Sequence, residues 1–131
     1  LREHMRTYGF AARWGGEEFL LVFDHSNVRE AHRVLEDLAL DIRRMESAYD
    51  GIIIMVTMTF GLAAGDTTDI NALIRSADEF LYEGKEAGRN RIICQINYCI
   101  VCPGKLNLFF YINNACGSIY CGTCSYYRHR I

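Results

Sequence analysis

The chain has 131 residues and a formal net charge of −2 at pH 7, which is the length of one domain and gives no reason to expect nucleic acid as a partner. Half of its residues are hydrophobic, so a sizeable core is possible. The first residues lack the apolar stretch of a secretory signal, and no apolar run reaches the roughly 18 residues of a membrane span. We therefore expect a cytoplasmic domain without a membrane segment, alone or as the cytoplasmic part of a larger, membrane-attached protein.

The first 23 residues predict the end of a helix followed by two strands. Residues 1–7 form the helical end, and Tyr8 to Trp14 form a short strand. The second strand, residues 17–23, is apolar on both faces, which is typical of a strand that is covered on both sides or lies in the middle of a sheet.

Two glycines and two carboxylates stand between these strands. Gly15 and Gly16 predict a tight turn that leaves space for a ligand. Glu17 and Glu18 follow directly, and adjacent carboxylates at a turn can hold a hard cation such as Mg²⁺ beside substrate phosphates. The alternative is an ordinary hairpin with two solvated glutamates.

The next elements are a helix and a strand. Asn27 followed by Glu30 resembles a capping box and predicts a helix that runs to about Met45. After the Asp50-Gly51 turn, residues 52–61 predict one strongly β-prone strand. The helix carries an apolar stripe at three- and four-residue steps that should face the core: Val28, Ala31, Leu35, Leu38, Ile42 and Met45.

A second helix closes this part of the chain. Residues 66–69 cap it, Gly84 inside it should cost roughly 1 kcal/mol, and Gly88 should end it. A last strand begins at Arg91. From residue 8 the order β-β-α-β-α-β predicts an α+β fold, an antiparallel sheet with helices on one face. The inward-facing residues of the helix should be Ile70, Leu73, Ile74, Ala77 and Leu81.

Three blocks in this order resemble the GGDEF family, the diguanylate cyclases. Gly15-Gly16-Glu17-Glu18-Phe19 is similar to the family signature in its variant with Glu third. Val56-Thr57-Met58-Thr59-Phe60-Gly61 resembles the central strand, and the run from Ala77 to Arg91 resembles the closing helix with its Gly-Arg-Asn end. The resemblance covers roughly residues 1–93. It implies the C-terminal part of a ferredoxin-like, palm-type domain truncated at its N-terminus, without its first strand and helices.

The resemblance also implies an activity. Two GTP molecules, one on each of two facing domains of a homodimer, would condense into cyclic di-GMP. Each 3′-hydroxyl would attack the α-phosphate of the other nucleotide, and pyrophosphate would leave. Such chemistry needs metal ions, here Mg²⁺ or Mn²⁺, to neutralise phosphate charge.

Site residues follow from the matched positions. Glu17 would bind metal and help to activate the hydroxyl, Glu18 would bind metal, and the turn of Gly15 and Gly16 would let the nucleotide lie close to the backbone. Lys85 and Arg89 would hold the terminal phosphates. Their spacing of four on a helix end predicts one shared face, and such a basic pair suits phosphate oxygens. The alternative for Lys85 and Arg89 is a solvated helix end.

Two departures from the family pattern bear on activity. The family's first metal-binding Asp and its guanine-reading residues lie on and after a strand upstream of Leu1. We therefore expect this piece to be inactive, and its sheet to lack a central strand, which leaves unpaired backbone. Arg6 matches the start of the product-inhibition motif Arg-x-x-Asp, but Gly9 replaces the Asp. Inhibition should be weak or absent, and Arg6 is otherwise a surface charge.

The composition changes near residue 93. Residues 1–93 hold all 16 acidic residues, whereas residues 94–131 hold none and carry all six cysteines, so we predict two segments of different origin. Two Cys-x-x-Cys pairs in this tail have the spacing of a four-cysteine zinc site: Cys99, Cys102, Cys121 and Cys124. Three interpretations stay open: read-through or frame-shifted translation, a zinc-binding module, or an apolar appendage packed on the domain.

Three functions are thus in competition. The first is a diguanylate cyclase fragment that depends on Mg²⁺ and GTP. The second is a non-catalytic GGDEF-like module that binds nucleotide or a partner protein. The third is a zinc-binding interaction module in the tail.

Overall fold

The computed structural model describes residues 1–24, 26–65, 69–94, 107–114 and 118–121, with only the backbone given for the last two ranges. None of the helices in these ranges combines the length and the apolar character needed to cross a bilayer. The helices and strands are α1 (Arg2–Met5), β1 (Gly9–Gly15), β2 (Glu18–Phe23), α2 (Val28–Arg44), β3 (Glu46–Tyr49), β4 (Ile52–Met55), β5 (Met58–Gly65), α3 (Ile70–Glu86), β6 (Ile92–Cys94), β7 (Asn107–Asn114) and β8 (Ser118–Cys121).

The larger of two sheets has five strands in the order β1-β2-β7-β5-β6. Its neighbours are antiparallel except for the parallel pair β5–β6. The predicted α+β fold, a mainly antiparallel sheet with helices packed on it, is confirmed.

Strand β7 comes from the cysteine-rich tail and lies in the middle of this sheet. It pairs with β5 along its whole length on one side and with β2 over residues 108–113 on the other. The prediction that the sheet carries unpaired backbone at a missing central strand is therefore wrong for this structure, because the tail supplies that strand. This pairing makes residues 107–114 part of the sheet, and the three interpretations of the tail stay predictions.

Helices cover both faces of the five-stranded sheet. Leu21 and Phe60 face α2 and belong to the main core, whereas Leu20 contacts Leu73 of α3 and Ala63 contacts Ala77. The prediction of helices on one face is wrong. Strands β2 and β5 carry apolar side chains on both faces of the sheet, so each face must be covered by a helix.

The two long helices begin where their caps predict. The side chain of Asn27 accepts a hydrogen bond from the Glu30 amide at 2.9 Å, and that of Asp69 accepts one from the Ala72 amide at 3.1 Å. The predicted apolar stripes are buried except for Val28 and Ile74, which are half-buried, and for Met45 and Ile70 at the helix ends, which are 63% and 50% exposed. Stripe residues buried in α2 and α3 are Ala31, Leu35, Leu38, Ile42, Leu73, Ala77 and Leu81.

The predicted single strand over residues 52–61 is in fact two strands in different sheets. β4 ends at Met55 and β5 begins at Met58. β4 pairs with the unpredicted strand β3 through a turn in which Asp50 and Gly51 both have positive φ, 49° and 75°, as a tight hairpin turn requires. β8 pairs with the other edge of β4.

Most of the predicted zinc site falls outside the described residues. Cys99, Cys102 and Cys124 lie there, and of Cys121 only the backbone in β8 is given. Cys94 is half-buried at the end of β6, and desolvation raises the pKa of its thiol above the ordinary value. A raised pKa keeps this thiol in its protonated form at neutral pH. The zinc site stays a prediction.

Candidate functional site

The Gly-Gly segment forms the tip of the β1–β2 hairpin. Gly15 pairs with Glu18, so two residues make the connection, and Gly16 takes the positive φ of 49° at its first position. The register shifts between Arg13 and Gly15, which leaves Trp14 as the extra residue of a bulge. Among the residues that the structure describes, and apart from the chain neighbours of each glycine, no atom lies within 4 Å of a β-carbon built on Gly15 or Gly16. The predicted turn is confirmed, and the described residues leave the space beside it open.

An arginine that the sequence did not single out braces this turn. Arg13 donates from Nε and Nη2 to the carbonyl oxygen of Gly16, at 2.9 and 2.6 Å. A charged donor makes a stronger hydrogen bond than a neutral one, so Arg13 helps to fix the peptide next to the carboxylates. The signal that could have found it is a cation three residues before a turn glycine.

The two carboxylates differ in exposure. Glu17 is exposed at the tip, and Glu18 is half-buried at the start of β2. Within the described ranges no group of three or more His, Cys, Asp or Glu side chains converges on one point. A cation here would combine the two carboxylates with phosphate oxygens and water, a donor set that suits Mg²⁺.

Lys85 and Arg89 lie on either side of the end of α3. The helix ends at Glu86 with Ala87 as its C-cap, and Lys85 is half-buried in the last turn. Arg89 is exposed and lies beyond the helix, with a φ of 62°. The prediction that Lys85 and Arg89 share a helix face is therefore wrong, because Gly88 ends the helix first.

The loop that carries Arg89 is attached to strand β5. The Asn90 amide donates to Oγ1 of Thr59 at 3.0 Å, and the Phe60 amide donates to the Arg91 carbonyl at 2.8 Å. Thr59 is completely buried. No local pattern in the sequence predicts this attachment, since the two segments are far apart in the chain.

The sheet register brings the carboxylates and the cationic loop to the same end of the fold. Glu18 of β2 pairs with Asn113 of β7, and Asn113 in turn pairs with Thr59 of β5. Two strand spacings separate Glu18 from Thr59, roughly 10 Å between their backbones. The turn with Glu17 and Glu18 and the loop with Arg89 thus lie at the same end of the strands, with the end of β7 between them.

Arg6 and Gly9 stand at the start of the same hairpin. Arg6 is exposed just after α1. Gly9 has a φ of 153°, and a β-carbon there would overlap the carbonyl oxygen of Val22. An Asp at this position would therefore require the backbone of β1 or β2 to shift, and the role of Arg6 in product inhibition stays a prediction.

Comparison with known proteins finds relatives for the part of the chain that precedes the cysteine-rich tail. A family model described as "Diguanylate cyclase, GGDEF domain" matches residues 1–91. Diguanylate cyclase A of Treponema denticola is 34% identical over 94 residues, and diguanylate cyclase DgcP of Pseudomonas aeruginosa is 31% identical over 93 residues. The response regulator PleD of Caulobacter vibrioides is 29% identical over 99 residues. No solved structure matches.

These matches cover most of this chain and a small part of each relative. The aligned stretches take in 70%, 70% and 71% of this chain, but 25%, 14% and 21% of the three relatives. The chain therefore spans about a quarter or less of the curated proteins that it matches.

Proposed function

This chain belongs to the GGDEF family of diguanylate cyclase domains, and from this premise we propose that it carries part of a binding site for GTP. Two copies of the domain, each with one bound GTP, would together form cyclic di-GMP. The observation that supports the proposal is the sheet register, which brings the Glu17-Glu18 turn and the Arg89 loop to one end of the fold. The carboxylates that bind the metal and the cations that bind the phosphates must be no further apart than the length of one triphosphate group.

Each residue then has one task. Glu17 and Glu18 hold Mg²⁺ or Mn²⁺, which when bound neutralises phosphate charge and lowers the pKa of the attacking hydroxyl. Lys85 and Arg89 bind the terminal phosphate oxygens through charge-assisted hydrogen bonds. The space that the described residues leave at Gly15 and Gly16 admits the nucleotide close to the backbone.

A homodimer completes the reaction. One copy holds one GTP, and its 3′-hydroxyl attacks the α-phosphate of the GTP on the facing copy. The reciprocal attack closes the ring, so two GTP yield one cyclic di-GMP and two pyrophosphates. Holding the two nucleotides face to face supplies the orientation that such a reaction needs.

The test measures binding of GTP to the full chain by equilibrium dialysis, with and without Mg²⁺. We expect binding that requires Mg²⁺, a loss of this Mg²⁺-dependent binding in Glu17→Gln, and about tenfold weaker binding in Arg89→Ala. Arg75→Ala is the matched control, because it also removes an exposed cation, in this case one within α3. Nη2 of Arg75 lies 3.8 Å from Oδ2 of Asp69. Equal binding in all variants, or none in the unchanged chain, would contradict the proposal.

One observation favours a second function, nucleotide binding without turnover. The described residues bring only two carboxylates to the turn, and Mg²⁺-assisted condensation needs firmly placed metal ions. Chromatography of the same mixtures separates the two functions. Cyclic di-GMP would identify an enzyme, whereas Mg²⁺-dependent GTP binding without product would identify a binding module.

A further inference from the structure

A buried hydroxyl lies directly beneath the loop that carries Arg89. The side chain of Thr59 is completely buried, and its Oγ1 accepts a hydrogen bond from the Asn90 amide at 3.0 Å. The proposed function assigns it no task. A buried hydroxyl that holds a loop amide nevertheless fixes where the neighbouring side chains of that loop can point.

The loop has an unfavourable backbone conformation. Gly88, Arg89 and Asn90 have φ values of 106°, 62° and 51°. Left-handed backbone is unfavourable for residues with a β-carbon, and it persists only where the surrounding structure holds it. Arg89 and Asn90 therefore need external contacts to keep this shape.

Three successive amides of the loop supply such contacts. Gly88 donates to the Lys85 carbonyl at 3.3 Å and Arg89 to the Gly84 carbonyl at 2.9 Å, both within the end of α3. Asn90 donates to Thr59 instead. Of the three bonds, the last alone ends on a side chain and ties the loop to the sheet, so it is the one that a substitution can remove.

We propose that Thr59 is a positioning residue for phosphate binding, whose hydroxyl holds the loop at Asn90 and so keeps Arg89 at the end of the sheet that carries Glu17 and Glu18. The inference rests on the proposed function, because it assigns Thr59 to the placement of Arg89 against a triphosphate. Without the hydroxyl, Arg89 and Asn90 relax towards right-handed backbone, and the guanidinium leaves its place.

The test compares four versions of the full chain with MgGTP as the probe: the unchanged protein, Thr59→Val, Thr59→Ser and Thr57→Val. Valine keeps the shape of threonine but cannot accept the amide hydrogen, and we expect about tenfold weaker GTP binding. Serine keeps the hydroxyl and should stay within roughly twofold of the unchanged chain. Thr57 takes part in none of these contacts, so its valine variant should bind normally.

A second readout separates positioning from general stability. Hydrogen exchange of the Asn90 amide, measured at a temperature where circular dichroism shows each variant folded, should accelerate in Thr59→Val and recover in Thr59→Ser. If Thr59→Val does not fold, Thr59→Cys replaces it and is compared with Thr59→Ser. These two differ in one atom, and sulfur is a far weaker acceptor, so the cysteine variant should bind GTP less tightly.

Each outcome decides a different question. Weaker binding with faster exchange in the valine or cysteine variant, restored by serine, supports the inference. Unchanged GTP affinity in those variants overturns it and leaves the proposed function intact. If the unchanged chain binds no GTP, the proposed function is wrong and the inference is wrong with it.

Discussion

The γ-methyl of Thr59 lies 2.7 Å from the position that a β-carbon at Gly84 would occupy, and Cγ1 of Ile93 lies 3.2 Å from the same point. Gly84 is buried in the last turns of α3. A glycine in that position is unfavourable for the helix, but it lets α3 lie against β5 while Thr59 keeps its methyl group. Thr59 and Gly84 are therefore matched in size.

The first prediction is that Gly84→Ala changes the sign of its effect with the residue at position 59. In the unchanged background the overlap with the Thr59 methyl, typically about 1–3 kcal/mol, outweighs the gain of about 1 kcal/mol in helix propensity. In the Thr59→Ser background the methyl is absent, and the same alanine should stabilise the fold. Urea denaturation of both single variants and the double variant measures the coupling, which we expect to be about 1–2 kcal/mol. Additive effects would show that these two residues do not compete for space.

The second prediction concerns the incomplete Arg-x-x-Asp motif. Gly9→Asp would complete it with Arg6, yet its β-carbon overlaps the Val22 carbonyl oxygen. We expect the substitution to push β1 away from β2 and to lower the free energy of unfolding by about 3 kcal/mol. Thermal unfolding measures this, with Gly15→Asp as the control because no described residue beyond its chain neighbours occupies the space at Gly15. A Gly9→Asp variant as stable as this control would contradict the register of β1.

The third prediction distinguishes the two glycines of the turn. Gly16 has a φ of 49°, whereas Gly15 is not among the residues with positive φ. Alanine at position 16 should destabilise the chain by about 1 kcal/mol, since left-handed backbone disfavours a β-carbon. Alanine at position 15 should change stability by less than about 0.5 kcal/mol. Equal losses at both positions would mean that the turn has a different backbone.

The fourth prediction tests the central place of β7. Phe110 pairs with Leu21 on one side and Leu62 on the other. Proline there removes an amide from a strand with neighbours on both sides and leaves a partner carbonyl unsatisfied, so we expect a loss of about 2 kcal/mol or more. Phe110→Ala gives the contribution of the side chain. Asn107→Pro, at the first residue of the strand, is the matched control. If the two proline variants were similarly stable, this result would contradict the position of β7 in the middle of the sheet.

Local signals in the sequence predicted the helices and the hairpin correctly. Asn27 and Asp69 cap their helices through contacts within three residues, and the stripes follow the helical period. Gly16 likewise marks a turn of two residues, which depends only on its neighbours in the sequence. Each of these features depends on neighbours in the sequence, and propensity and periodicity describe such neighbours well.

Features set by distant parts of the chain were missed or misjudged. The break between β4 and β5 falls in a run of β-branched and apolar residues without glycine or proline, so nothing local marks it. Helices were expected on one face because strand patterns do not state what covers each side. The hydrogen bond from Asn90 to Thr59 and the insertion of β7 join residues separated by much of the chain. Sequence patterns carry no direct record of such pairings.

The position of β7 also sets the order in which the sheet can form. Strands β2 and β5 end at Phe23 and Gly65, whereas β7 begins at Asn107. At the usual rate of about 5–20 residues per second, the ribosome has finished both neighbours seconds before the strand that joins them exists. Until then their facing edges offer hydrogen-bonding groups to other chains. Completion of the sheet is thus a late event in synthesis, and a stop codon or protease cut before Asn107 would remove the middle of the sheet.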